Sequence, residues 1–143
     1  MAKRGGKIYI ACRDPIRGAE ALKEIQDKSE SSNVHFLQLD LAQLESIRQF
    51  SKKFHSYENQ LHILINNAGV MACPKSYTAD GFEMHMGVNH LGHFLLTNLL
   101  LDLLKSAAPS RIVVVSSMLH MIGRISKKDL MREKKYSKWF VYG

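Results

Sequence analysis

Three apolar runs in the sequence are each followed directly by residues that could bind a nucleotide. In open parallel sheets, ligands bind beyond the carboxyl ends of the strands. If the runs are strands, the residues after them are candidates for one binding site. These residues are Arg13, then Asp40 and Leu41, then Asn66, Asn67, Ala68 and Gly69, after runs that end near Cys12, Leu39 and Ile65.

Arg13 favours a cofactor that carries a 2′-phosphate. In dinucleotide-binding folds, an acidic residue at the end of the second sheet strand binds the ribose 2′-hydroxyl. If the first apolar run of this sequence corresponds to that strand, Cys12 stands in place of the acidic residue, and Arg13 follows it. Because a guanidinium binds phosphate through paired, charge-assisted hydrogen bonds, the pair favours NADP over NAD. The alternative is a solvated Arg13, with Asp14 acting only as a helix cap.

The other two segments have both a binding and a structural interpretation. The Asp40 carboxylate could accept a hydrogen bond from an adenine amino group, or it could start the next helix. The small residues of Asn66-Asn67-Ala68-Gly69 let the backbone approach a cofactor, and glycine permits a sharp turn. Alone, this tetrapeptide could be only a turn, but after an apolar strand it predicts cofactor contact.

Strand and helix patterns alternate along the chain, which predicts an α/β fold. Apolar residues recur at helical spacing from Ile16 to about Lys28, from Leu44 to Phe54 and from about Phe82 to Lys105. Arg111 to Val115 is the clearest strand pattern. Helical connections of this length between strands require right-handed crossovers and a parallel sheet that is covered on both faces. No linker interrupts the pattern, so we expect one domain over residues 1–143.

The composition excludes several classes of protein. An apolar content of 45% is typical of a globular chain, and two cysteines make no disulfide framework. No apolar run reaches the roughly 18–20 residues that a membrane span needs. The net charge of +7 comes from scattered lysines and arginines without a nucleic-acid motif. We therefore expect solvated faces and a phosphate-bearing ligand, and no nucleic acid.

The seven histidines do not predict a metal site. His85, His90 and His93 lie near one another on the third predicted helix. No carboxylate or thiolate accompanies them at the spacing of metal ligands, so surface or core histidines are the expectation.

Several segments together resemble the short-chain dehydrogenase/reductase family. Leu64 to Gly69 resembles the cofactor-side signature of the family, Val88 to Phe94 its helix with the catalytic asparagine, and Ile112 to Ser117 its strand with the catalytic serine. The resemblance is closer still to the microsomal retinol dehydrogenases and extends from about Arg4 to Gly143. The segments that carry this closer match are 10–14, 39–41, 65–71, 78–83 and 87–97.

The resemblance implies three catalytic residues. Ser117 would hydrogen-bond the substrate oxygen, and Asn89 would interrupt the regular bonding of its helix and hold a water in a proton relay. Tyr142 would be the general acid or base. Tyr136 competes for this role, but the segment from Trp139 to Gly143 resembles the entry to the family's tyrosine motif. Each residue also has an ordinary interpretation: a serine at a strand end, an asparagine that bridges helices, or a core aromatic.

The resemblance also implies an incomplete Rossmann-like doubly wound parallel sheet. The family pattern begins with a strand and a glycine-rich turn that binds pyrophosphate, and no such pattern precedes Lys7. The C-terminal strands and the lysine that follows the catalytic tyrosine are also missing. Loss of the first strand would leave two unpaired edges, separated by two strand spacings of roughly 9–10 Å. We therefore expect a truncated chain that is inactive by itself.

As a function, the resemblance implies an oxidoreductase of the retinol dehydrogenase type. It would transfer hydride between NADP(H) and a retinoid or another apolar aldehyde or alcohol. This branch of the family is anchored to the endoplasmic reticulum membrane by an N-terminal segment, whereas the chain as given would be cytoplasmic. The alternative is a non-catalytic fragment that binds a partner protein. The exact substrate, the reaction direction and the oligomeric state stay open.

Overall fold

The computed structural model describes residues 1–123, 125–134, 136 and 137. The chain forms two compact units, Met1–Asp40 and Leu41–Gly143. Each unit holds one two-stranded parallel sheet, with strands β1 and β2 in the first unit and β3 and β4 in the second. The predicted α/β class with parallel strands is therefore confirmed. The prediction of one domain stays a prediction.

The first unit is a single strand–helix–strand crossover. Strand β1 (Ile8–Cys12) pairs in parallel with β2 (Val34–Gln38), and helix α1 (Pro15–Ser29) connects them. The Asp14 carboxylate starts α1, because it accepts the backbone N–H groups of Ile16 at 2.9 Å and Arg17 at 3.2 Å. Helix α1 packs closely on β2 at Gly18, where a Cβ atom would overlap the Phe36 ring.

The second unit begins with α2 (Leu44–Tyr57) and β3 (Ile63–Asn66). A π-helix (Met86–Gly92), α3 (His93–Leu99) and α4 (Leu101–Ser106) then lead to β4 (Arg111–Val114), and a 3₁₀ turn (Met118–Met121) follows β4. Strands β3 and β4 are parallel, with Ile63 opposite Arg111 and Asn66 opposite Val114. Residues that follow the two strands therefore meet at one edge of this sheet.

Helix α2 packs on α3 and α4 through apolar and polar contacts. The Ser51 hydroxyl donates to the Leu99 carbonyl at 3.3 Å, and His55 Nε2 lies 3.2 Å from the Asp102 carboxylate. The buried apolar core lies between these helices. Its members are Ile47, Phe50 and Phe54 of α2, with Leu96, Leu100, Leu103 and Leu104.

The long helix predicted from Phe82 to Lys105 is divided in the structure. Its first part is the π-helix, and Leu100, with φ −106° and ψ 6°, separates α3 from α4. The residue at the break is a leucine and not a glycine or a proline, so the sequence carries none of the usual signals for a helix break. Within the described residues, no helix is long and apolar enough to cross a bilayer.

Candidate active site

A cavity of about 260 Å³ lies at the carboxyl ends of β3 and β4, inside the second unit. One wall is the segment after β3, another is the segment after β4, and the π-helix and α3 supply the rest. The lining residues are Asn67, Ala68, Gly69, Asn89, His93, Val115, Ser116, Ser117 and His120. The structure therefore brings together five of the residues that were predicted from the sequence: Asn67, Ala68, Gly69, Asn89 and Ser117.

Asn66 ends β3 and directly precedes the segment that lines the cavity. It is only 3% exposed, and its Nδ2 donates to the Thr97 hydroxyl of α3 at 2.9 Å. Its Oδ1 is buried and has no hydrogen-bond partner among the described residues. A buried acceptor without a partner costs free energy. Asn66 itself does not line the cavity, although the next residue, Asn67, does.

Asn89 joins the π-helix to the segment after β3. Its Oδ1 accepts the Val70 N–H at 2.8 Å, and its Nδ2 donates to the Val70 carbonyl at 2.9 Å. A Cβ atom at Gly69 would lie 3.2 Å from Asn89 Oδ1, tighter than most such contacts, so glycine lets the segment come close. The π-helix at Asn89 also departs from regular α-helical bonding.

His93 interacts with the backbone of Asn89. Its Nδ1 lies 3.1 Å from the Asn89 carbonyl oxygen, and its side chain is buried. A carbonyl oxygen only accepts, so Nδ1 carries a proton, and in the neutral ring Nε2 is the unprotonated nitrogen. No hydrogen bond to Nε2 is formed by the part of the chain that the structure describes. A histidine nitrogen that can accept a proton therefore belongs to the cavity lining.

Ser117 lies at the start of the 3₁₀ turn after β4. Its Oγ accepts the Leu119 N–H at 3.2 Å, and its carbonyl oxygen accepts from His120 Nδ1 at 2.5 Å. Because the hydroxyl oxygen accepts in the first of these bonds, the hydroxyl proton can be donated to another group. The side chain is partly exposed, so a small molecule in the cavity could reach it.

The remaining predicted residues lie elsewhere. Arg13 and Asp40 belong to the first unit, where Arg13 is exposed and directly follows β1. Leu41 is buried in the second unit, and its carbonyl oxygen would lie 2.7 Å from a Cβ atom at Gly92. Tyr142 lies outside the described residues. The hydroxyl of the competing Tyr136 donates to the Cys73 carbonyl at 2.8 Å, and Tyr136 does not line the cavity.

Two histidines of the site were missed by the sequence interpretation. From the sequence, His93 is expected to be only a surface or core histidine, and no prediction concerns His120. Their spacing offered a signal, because His93 lies four residues after Asn89 and His120 three residues after Ser117. Residues at these spacings share one face of a helix or a helical turn.

The profile of the short chain dehydrogenase family matches residues 1–128. The chain belongs to this family. It is 57% identical to human retinol dehydrogenase 12 over 142 residues, which cover 99% of the chain and 45% of that protein. The chain therefore spans less than half the length of this relative.

Solved structures agree with the fold. An uncharacterized protein from Mycobacterium paratuberculosis matches with a TM-score of 0.81 and 40% identity, over 99% of this chain and 48% of that one. The complex of RhlG with NADP from Pseudomonas aeruginosa matches with a TM-score of 0.73 and 22% identity, over 99% of this chain and 52% of that one. The second likeness shows the fold alone. The predicted Rossmann-like class is confirmed by these matches.

Proposed function

We propose that this short-chain dehydrogenase chain is part of an oxidoreductase that transfers hydride between NADP(H) and an apolar alcohol or aldehyde. The observation that carries the proposal is the cavity in the second unit. It gathers Asn67 to Gly69, Asn89 and Ser117, which are the positions to which the family resemblance gives cofactor and catalytic roles. Membership of the family supplies the reaction class.

The residues of the site fit a nicotinamide cofactor. The segment from Asn67 to Gly69 offers small side chains and backbone groups to the cavity. The cofactor, when bound, supplies or accepts the hydride. Arg13 after β1 supports the proposal of NADP over NAD, because a guanidinium can pair with a 2′-phosphate. The proposed adenine contact of Asp40 and Leu41 rests on their place after the second strand.

The side chains have separate roles in the proposed reaction. Ser117 would donate its hydroxyl proton to the substrate oxygen, because its Oγ already accepts the Leu119 N–H. The Asn89 side chain is engaged with Val70, so its backbone carbonyl, to which His93 Nδ1 also donates, would hold the water of the proposed proton relay. Tyr142 would exchange the proton with the substrate oxygen, by resemblance.

The name of the human relative supports a retinoid as the substrate class. Apolar side chains follow Ser117 and are exposed at the site's margin, where a long apolar molecule could contact them; they are Met118, Met121 and Ile122. Attachment to the endoplasmic reticulum membrane is proposed from the resemblance only, and imaging of the tagged protein together with a marker of that membrane would test it.

Thermal unfolding with and without cofactor tests the proposal. A ligand that binds only the folded chain should stabilise it by roughly 2.7 kcal/mol at 100 times its dissociation constant. We expect NADPH to raise the unfolding temperature more than NADH does. Arg13→Ala should remove this preference, whereas Arg48→Ala, at an exposed position of α2, should keep it. An equal response to both cofactors would refute the NADP assignment, and no response to either would refute cofactor binding by this chain.

A further inference from the structure

A second cluster of reactive side chains lies in the second unit and shares no residue with the lining of the cavity. His85 Nδ1 lies 2.7 Å from Glu83 Oε1, and the two side chains are only 3% and 1% exposed. The Cys73 sulfur lies 3.6 Å from His85 Nε2 and 3.8 Å from Nδ1. A carboxylate, an imidazole and a thiol are therefore in sequential contact. Cys73 itself is partly exposed, so a small molecule can reach its sulfur.

The backbone around the cluster holds these three side chains in place. Glu83 Oε2 accepts the Met86 N–H at 3.0 Å, so both carboxylate oxygens of Glu83 have partners. The Cys73 carbonyl accepts the Tyr136 hydroxyl at 2.8 Å, and the Tyr136 ring lies against the His85 ring, with centroids 6.4 Å apart. Tyr136 therefore contacts both the Cys73 backbone and the His85 ring.

The order of the three groups is that of an activated nucleophile. A thiol reacts as its thiolate, and a neighbouring imidazole that takes the thiol proton raises the thiolate fraction. A third group that holds the imidazole completes this arrangement. In the neutral ring, Nδ1–H donates to Glu83 and leaves Nε2 unprotonated, and Nε2 is also the ring nitrogen nearer the sulfur.

We propose that Cys73, with His85 and Glu83, is a nucleophilic thiol site that reacts with α,β-unsaturated carbonyl compounds. The thiol proton passes to His85 Nε2, and the sulfur forms a bond with the β-carbon as the carbon–carbon π bond breaks. The electron pair moves to the α-carbon and the carbonyl, and the imidazolium returns its proton to the α-carbon. The step is an addition that needs neither an oxidant nor a reductant, and it does not depend on the proposed oxidoreductase function.

The two cysteines of the chain allow an internal comparison. Cys12 is also partly exposed, and it forms no hydrogen bond with a histidine in the described ranges of the chain. The chain would be treated with a limiting amount of N-ethylmaleimide at pH 7, and peptide mass spectrometry would give the rate at each cysteine. An ordinary thiol is only a few per cent thiolate at this pH, and a less basic thiolate is a weaker nucleophile. We therefore expect Cys73 to react about tenfold faster than Cys12.

Denaturation and substitution then test the cause of the difference. The ratio of the two rates should fall to about one in concentrated urea, and His85→Asn should lower it in native buffer without changing the rate at Cys12. Glu83→Gln, which keeps a hydrogen-bonding oxygen, should give an intermediate ratio. The proposal is overturned if the ratio for the unmodified chain is the same in buffer and in urea, a comparison that needs no variant. It is also overturned if a folded His85→Asn chain keeps the full ratio.

Discussion

Asn89 forms hydrogen bonds with both backbone groups of a single residue, Val70. In this way one side chain holds the segment after β3 against the π-helix. The segment carries Asn67 to Gly69, so the same contact sets the width of the candidate active site. The amide of Asn89 thus has a structural role that is separate from the proposed water-holding role of its backbone carbonyl.

Replacement of Asn89 by alanine should destabilise the second unit. Two hydrogen bonds are lost and both Val70 groups are left without this partner, at a cost of about 2 kcal/mol. The free energy of unfolding from urea titration measures the effect. Asn98→Ala is the matched control, because the Asn98 amide is exposed and, among the residues that the structure describes, donates only to the Phe94 carbonyl at 2.8 Å. Equal losses in the two variants would contradict the structural role of Asn89.

Tyr136 should make the stability of the chain depend on alkaline pH. Burial raises the pKa of Tyr136 to about 12, with the neighbouring Cys73 and Glu83 adding to the shift. The phenol of an unfolded chain titrates near a pKa of about 10. Between these two values the unfolded chain has lost a proton that the folded chain keeps. The free energy of unfolding therefore falls as the pH rises through this range.

Unfolding titrations at several alkaline pH values measure this slope. Tyr136→Phe should remove the part of the slope that belongs to this phenol, since phenylalanine has no proton to lose. The control is Tyr57→Phe, at a side chain that is 54% exposed, and it should leave the slope unchanged. A Tyr136→Phe chain with the same slope as the unmodified protein would show that the phenol titrates normally.

At the scale of elements, the first crossover depends on how α1 begins. The chain turns from β1 into α1 within two residues, and the Asp14 carboxylate satisfies two backbone donors at the turn. Pro15 takes the first helical position, where its missing N–H costs nothing. The cap therefore determines the direction in which α1 leaves the strand that precedes Arg13.

Asp14→Ala should cost about 1 kcal/mol, because alanine cannot accept these N–H groups. Asp14→Ser keeps an acceptor and should restore most of the loss. Urea unfolding monitored by circular dichroism would compare the three chains. If serine were as damaging as alanine, the contribution of Asp14 would come from its charge or another contact and not from capping.

The π-helix is a second element whose packing constrains the site. A Cβ atom at Gly92 would lie 2.7 Å from the Leu41 carbonyl oxygen, and one at Gly87 would overlap the Thr78 side chain. Both glycines therefore permit close approach of the π-helix to neighbouring segments of its own unit. This approach positions Asn89, and through it the segment after β3.

For the whole molecule, the sheet of the second unit leaves much apolar surface exposed. Parallel sheets are normally covered on both faces. Here the exposed fraction is 39% for Ile63 and 47% for Ile65 in β3, and it ranges from 42% for Val113 to 67% for Val114 in β4. Exposed apolar strands with unpaired edges favour association between chains.

We expect the weight-average mass of the chain, measured by sedimentation, to rise with concentration. Val114→Lys should reduce this rise, because a charge on the exposed strand disfavours contact between two sheets. Ile16→Lys is the control, since Ile16 is 71% exposed but lies on α1. A chain that stays monomeric over the whole concentration range, or that responds equally to both lysines, would contradict the role assigned to the sheet.

The sequence by itself determined the local elements and the order of the site segments. The predicted end of β1 at Cys12 and the predicted start of β4 at Arg111 are those observed. The family and the segments after β3 and β4 followed from short motifs. These features depend on neighbouring residues, whose apolar spacing and turn-forming types are readable in one dimension.

The tertiary structure alone decided which side chains meet. Asn89 and Val70 are nineteen residues apart, and His85 and Cys73 are twelve apart. The sequence spacing gave no sign that a carboxylate and a thiol both contact His85, and the break at Leu100 has no residue signal. Such contacts depend on how one helix and one loop pack against each other. The apolar pattern that drives packing specifies a face of an element, but not the residue that each polar group on it will contact.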